Sequence, residues 1–315
     1  MAAPLCVSGF LSVYGIRQFD TVYILCASCA GLLGVGYLVK QASCWSKDVV
    51  EWIDGDTAYL SVVFSWDLQK AHQRAAWLHM QGYHVRAGGP AVSLNPTFLA
   101  DVAEIGGDVP ALKRHNPDAC FTTRGCIRKC QFCAVPIIEG LFRELDDFDI
   151  APIVCDNNFL ASSRKHFDRV IDALKGCIGV DFNQGLDARL LTDYHAGRLA
   201  ELDLHCARLA WDFTAMEPEL MAAYEMLRRA GLPKRLIQMY VLIGFNDTPE
   251  DALYRLETVR GLGLKTNPMR YQPLDAKKRN EYVAPDWTDV KLKRYMRYWS
   301  RLAWFNGIPF EDYRG

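Results

Sequence analysis

Neither sign of charge is in excess in this sequence: 36 lysines and arginines face 37 aspartates and glutamates, for a formal net charge of −1. That balance removes any global electrostatic pull toward nucleic acid or an anionic membrane. Repeats beyond strand–helix units and low-complexity tracts are also missing, which argues against solenoids and long disordered linkers. Long apolar runs are nearly absent, the one case being residues 21–39, TVYILCASCAGLLGVGYLV, uncharged over nineteen positions. That length meets the minimum for a membrane span. Only Arg17 is basic before it, however, which is too little for a signal-peptide start. The run also reads as a buried strand, VYILCAS, leading into a buried helical segment, or as an extension outside the natural fold. Cys26 and Cys29 within it have the spacing of a metal or redox pair, a weak signal alone.

What the chain does have is room and thiols. At 315 residues, half of them apolar, it can build one large α/β domain plus a smaller appendage. Eleven cysteines, several isolated in apolar runs, suit a reducing, cytoplasmic compartment. Membrane association would rest on residues 21–39 alone.

Three cysteines constrain the chemistry most. Cys126, Cys130 and Cys133 form Cys-x3-Cys-x2-Cys within CFTTRGCIRKCQFCAVP. Three thiolates on one loop can hold three irons of a [4Fe–4S] cluster and leave the fourth open to a substrate or cofactor. Other readings stand beside this one. Cys120, just upstream, could close the cluster into an electron carrier. A zinc site would need a second pair, but Cys120 and Cys126 are too far apart and the nearest histidine is His115. Disulfides suit neither the crowding nor the size of the chain.

From residue 57 the alternation is regular. AYLSVVFSW predicts a strand, DLQKAHQRAAWLHMQG an amphipathic helix ending at Gly82, and YHVRAGGPAV a strand and a glycine turn. After a polar linker, DACFTT leads into the cysteine loop. PIVCDNNF, GVDFNQGLDARL, LHCARLAWDF, QMYVLIGF and NPMRYQPL follow, alternating with helical segments. Six strands alternating with helices predict a parallel sheet with right-handed crossovers, and chemistry at the C-terminal strand ends. The polar residues there are Asp156, Asn157 and Asn158, then Gln184, Asp187 and Arg189, then Asp212, Asn246 and Asp247, and finally Arg270 and Gln272. NDTPED is also a good helix start, with Asp247 or Thr248 capping and Pro249 in the first turn, and Asp212 similarly suits the cap of the helix after its strand.

TRGC-x3-C-x-F-C, with Phe132 ahead of the last cysteine, resembles the signature of the radical S-adenosylmethionine (SAM) enzymes over about residues 55–280. Within that superfamily it most resembles the branch holding the methylthiotransferases and the enzymes with a cobalamin-type N-terminal domain. The resemblance implies a partial (β/α)6 TIM-type barrel over residues 116–280. An apolar extension (1–55) and a small α/β lid-like domain (56–115) precede it, and a helical tail (281–315) follows. It implies a [4Fe–4S] cluster on Cys126, Cys130 and Cys133, with SAM as second cofactor and Phe132 beside it. Asp156, Asn157 and Asn158 stand where such enzymes hold the SAM amine. Arg189 suits the SAM carboxylate, Gln184 adds a carboxamide, and Gly244 matches the place where backbone approaches adenine. The implied activity is reductive cleavage of SAM to a 5′-deoxyadenosyl radical that abstracts hydrogen from a substrate, fed by a flavodoxin- or ferredoxin-like one-electron donor. The Asp-x-His-x-x-Gly motif of cobalamin domains is missing, with His72, His79 and His84 in the wrong context, so no cobalamin is expected.

Residues 291–305, KLKRYMRYWSRLAWF, mix cations and aromatics, which could stack single-stranded RNA. Leu292, Tyr295, Met296, Trp299, Leu302 and Ala303 fall at helical spacing, which predicts instead a helix docked on the core with a solvated basic face. A methylthiotransferase-like RNA-modifying enzyme, a closed-cluster electron carrier and a zinc-stabilised nucleic-acid module are the alternatives. The substrate is not legible.

Overall fold

The structure, a computed structural model, describes residues 45–46, 48–106, 111–300 and 307–314. Residues 21–39 with Cys26 and Cys29, and the tail positions Leu302 and Ala303, lie outside the described residues. All that follows concerns the unit Ser46–Gly315. Among the described residues no helix is long and apolar enough to cross a membrane.

A small mixed sheet comes first. Strands β1 (Val50–Asp54) and β2 (Thr57–Ser61) form an antiparallel hairpin that turns at Gly55, whose φ is 59°. Helix α1 (Leu68–Met80) then crosses to β3 (His84–Gly88), parallel to β2, and β4 (Glu104–Ile105) adds a further parallel strand. The helix buries Leu68, Ala71, Ala75 and Leu78, one face at helical spacing, which is what its amphipathic sequence demands. The segment AYLSVVFSW is a strand only as far as Ser61, and β1 and β4 have no clear sequence signal. The glycine turn is also a close backbone approach. Gly89 has φ 96°, a Cβ there would meet Val62 O at 2.6 Å, and Pro90 opens the short helix α2 (Pro90–Leu94).

After α3 (Leu112–His115) comes the main sheet. Its strands are β5 (Ala119–Cys120), β8 (Ile153–Val154), β9 (Val180–Phe182), β10 (Leu204–Trp211), β11 (Ile237–Ile243) and β12 (Lys265–Arg270). They lie side by side in that order, all parallel, so the six-stranded α/β sheet predicted from the alternation is present. The connecting helices are α5 (Arg164–Leu174), α6 (Asp193–Leu199), α7 (Glu217–Arg229) and α8 (Pro249–Gly261). Ser163 and Thr192 cap α5 and α6 through their hydroxyls, and Thr248 with Asp251 forms a capping box on α8.

Strand register divides the sheet into two unlike faces. Leu209 and Trp211 pair with Met239 and Val241, all four fully buried, and Phe159 stacks on Phe182 and on Phe167 of α5. This is the helix-covered, apolar face. The alternate positions carry Asp181, Cys206, Arg208, Gln238 and Asn267, with the Asn267 carboxamide donating to Gln238 at 3.2 Å. A sheet face with that composition is built to meet polar groups. The C-terminal helix α9 (Asp289–Ser300) packs beside β12 and buries Leu292, Tyr295, Tyr298 and Trp299, leaving Lys291, Lys293 and Arg297 exposed. The expected docked helix is therefore present over Asp289–Ser300.

Candidate functional site

The cysteine loop is a closed excursion. DACFTT does not continue as one strand: β5 ends at Cys120, and β6 (Thr123–Arg124) pairs instead with β7 (Arg143–Glu144) in a separate antiparallel pair. Cys126, Cys130 and Cys133, all half-buried, lie on the loop between these strands, ahead of the single helical turn α4 (Val135–Ile138). Glu139 joins the two ends of the loop. Its carboxylate accepts from the Gly125 N–H at 2.8 Å and from Asn157 Nδ2 at 2.8 Å, and pairs with Arg124 at 3.0 Å. Gly125 has φ 74°, and a Cβ there would sit 2.3 Å from Leu141 O, so only glycine fits.

From the sheet side, Asp187 ties the loop to the strand ends. It accepts from Arg128 Nε at 3.0 Å, from Asn158 Nδ2 at 3.3 Å, and from both Nε and Nη2 of Arg189, at 2.7 and 3.1 Å. Burial opposes its ionisation, but the two guanidiniums outweigh this and hold its carboxyl below the usual range. Asn158 also donates to Cys126 Sγ at 3.6 Å, while its own carboxamide oxygen is buried and has no partner. An orphaned acceptor beside a row of thiols fits a site that is complete only with a bound group.

The remaining sequence candidates divide. Asp156 is buried and accepts from the backbone N–H of Thr122 at 2.7 Å and from its hydroxyl, so it braces the strand rather than facing the loop. Burial raises its pKa against those hydrogen bonds. Gln184 is exposed. Arg189 reaches the site already forked onto Asp187. Gly244, with φ 77°, donates its N–H to Asp247 at 2.8 Å and approaches Leu292 of α9.

The helix start expected in NDTPED is present with Thr248 as its cap, while neither Asp247 nor Asp212 caps a helix. Asp247 instead holds the β11 turn, accepting from Gly244, Phe245, Trp287 and Arg255, and Thr248 takes the cap. Asp212 leaves α7 without a side-chain cap. It sits near Cys130, Cys133, Arg189 and Asp187, with its carboxyl pushed up by burial against the pull of Arg189 and Arg255. Burial likewise pushes up the thiols of Cys130 and Cys133, helped by Asp212. Arg255 has no sequence signal, yet it is fully buried and donates to the backbone carbonyls of Trp211 and Asp212 at 3.0 and 2.9 Å. It fixes the end of β10 directly under the site.

Phe132 opens an aromatic row over the C-terminal strand ends. Its ring lies 5.4 Å from Phe245, which lies 4.7 Å from Tyr271, and Tyr271 lies 5.3 Å from Tyr282; Phe213 closes the cluster at 6.0 Å from Phe132. Phe132, Phe213 and Phe245 follow three different strands and Tyr271 and Tyr282 both follow β12, which is why no local motif announces the row.

Cys120 stands apart. Its thiol donates to Ala151 O at 3.3 Å within the apolar core, and burial pushes its pKa up to about 11. A second ligand-type group, Asp181, His205 and Cys206, lies within the sheet, but Asp181 is already paired with Arg208. No family model matches the chain, and no curated protein matches it.

Proposed function

We propose that this chain is a radical SAM enzyme whose cluster site is Cys126, Cys130 and Cys133, set on a partial (β/α)6 barrel. The observation that carries the reading is the convergence on one loop. Three half-buried cysteines, closed off by β6–β7 and Glu139, stand at the C-terminal end of a six-stranded parallel sheet beside Asn158, Asp187 and Asp212. That is the sheet end where α/β folds place chemistry. The barrel reading rests on the sequential strand order and the polar alternate face.

A [4Fe–4S] cluster bound by the three thiolates supplies one-electron reductive cleavage of SAM to methionine and a 5′-deoxyadenosyl radical. The chain's own part is placement. Burial makes lone thiolates costly at Cys130 and Cys133, so in the unloaded chain these thiols stay protonated and a metal centre has to displace their protons. Asn158 donates to Cys126, and Arg128 joins the loop to Asp187, which fixes the thiols before anything binds. The orphaned oxygen of Asn158 suits an ammonium donor, and Arg189, once released from Asp187, suits a carboxylate. Phe132 and its neighbours give an apolar wall that keeps water from a reactive radical. A one-electron donor of the flavodoxin or ferredoxin type is the partner that follows.

Cys120 argues against the closed electron carrier, because its sulfur is engaged in the apolar core. Iron and sulfide analysis of the anaerobically reconstituted chain tests the site. About four irons per chain are expected, with Cys126→Ala, Cys130→Ala and Cys133→Ala each losing them. Full iron retention in any one of these variants would contradict the assignment.

A further inference from the structure

The loop after β12 is a built display of cations beside a stacked pair of aromatic rings, one of them exposed. Residues 272–280 are stapled at their base: Gln272 Nε2 donates to Asn280 Oδ1 at 3.1 Å, and the Asn280 N–H returns to Gln272 Oε1 at 2.8 Å. Asn280 takes φ 61°, and Arg270 holds the carbonyls of Asn280 and Tyr282 at 2.8 and 2.6 Å. The tip carries Lys277, Lys278 and Arg279, all exposed. Glu281 lies 3.9 Å from Lys278, and Asp275 also flanks the tip, but neither Lys277 nor Arg279 has an acidic partner among the described residues. A loop this heavily fixed, with its charges left outward, is shaped for an anion.

Next to it stands a stacking platform. Phe64 and Trp66, just past the end of β2, lie ring on ring at 4.6 Å and 9°. Phe64 is 43% exposed and Trp66 half-buried, so the Phe64 end of the stack is the one that solvent reaches. Ser65 between them donates its hydroxyl to Ala276 O at 2.6 Å, which locks the platform to the cationic loop. From the base of that loop the aromatic row Tyr282, Tyr271, Phe245 and Phe132 runs back to the cysteines.

Flat rings that offer open faces, joined to unpaired cations, recognise unstacked bases on a phosphate chain. A duplex hides its bases and cannot use the rings. We propose that this rim binds single-stranded nucleic acid and leads it along the aromatic row toward the cysteine loop. The delivery of a nucleotide to that loop rests on the radical SAM reading; the binding does not. The near-zero net charge of the chain is no objection, because the cations are gathered on one loop.

Fluorescence anisotropy of the full chain with an end-labelled oligouridine of about twelve nucleotides, a length within the usual single-strand site sizes, tests the inference. The single strand should bind, and its duplex with oligoadenosine should bind at least about tenfold more weakly. Phe64→Ala and Trp66→Ala should each weaken binding about tenfold with the salt slope unchanged. Lys277→Glu, Lys278→Glu and Arg279→Glu together should flatten the slope by about two phosphate contacts. Equal binding of the duplex, no binding by the wild type, or unchanged affinity in both sets of variants would overturn it. Iron is measured on the same samples. A chain that binds RNA but retains no iron defeats the cluster reading and upholds this one, whereas a chain that holds iron but ignores RNA defeats only this one.

Discussion

The Glu139 carboxylate accepts the Gly125 N–H at 2.8 Å, joining the two ends of the loop that carries all three candidate ligands. Its side chain is 9% exposed, and it also holds Arg124 and Asn157. A largely enclosed carboxylate that holds three donors from three parts of the chain is a clamp, and its charge matters as much as its shape.

Glu139→Gln removes that charge while preserving size. Metal affinity should fall about 10- to 100-fold, the range for groups that orient ligands, read as faster iron loss to a chelator. Gly125→Ala, which drives a methyl into Leu141 O, should lose iron more completely while the circular dichroism of the core stays intact. Wild-type iron retention in both variants would remove the clamp from the account.

Arg255 predicts a stability effect. Its guanidinium is fully buried and bonds Asp247 at 2.6 Å as well as the carbonyls at the end of β10. Arg255→Met leaves Asp247 buried without its counter-charge, and such a loss costs about 3–5 kcal/mol. The denaturant midpoint should drop accordingly. A change under about 1 kcal/mol would mean that solvent reaches Asp247.

The histidines set a pH dependence. His115, bonded to Ser61 at 2.9 Å, and His166 are both buried. Burial lowers both ring pKa values below the ordinary figure of about 6.5, and at His166 it outweighs the pull of Glu144. The unfolded chain therefore takes up protons at a pH where the folded chain does not. Their stabilising contribution is whole above about pH 6.5 and is lost as pH falls through the lowered folded values. Urea midpoints should be lower at about pH 5.5 than at about pH 7.5, with a smaller difference in His115→Asn. A flat profile in the wild type would contradict this.

Much of the main sheet was legible because apolar strands alternate with helical segments that carry one apolar face, as β11 and α5 show. The cysteine triplet was legible from spacing alone. The rest depends on partners distant in sequence. Nothing near residue 123 says that the chain leaves the main sheet there to pair with residues 143 and 144, and nothing near Arg255 says that it is buried. Asp156 illustrates the converse. It has the position of a site residue, but the Thr122 hydroxyl and N–H engage its carboxylate.

Cys120 separates ligand from bystander. Its sulfur lies in the core against Ala151, so Cys120→Ala should leave iron content unchanged and cost about 1 kcal/mol of stability. Loss of iron with stability intact would restore it as a fourth ligand.

The most direct measurement of the central claim is 5′-deoxyadenosine release from the anaerobically reconstituted chain, given SAM and a strong chemical reductant. The account predicts release by the wild type, none by Cys133→Ala, and undiminished release by Cys120→Ala. A chain that carries its full complement of iron, is reduced, and still leaves SAM intact would contradict it.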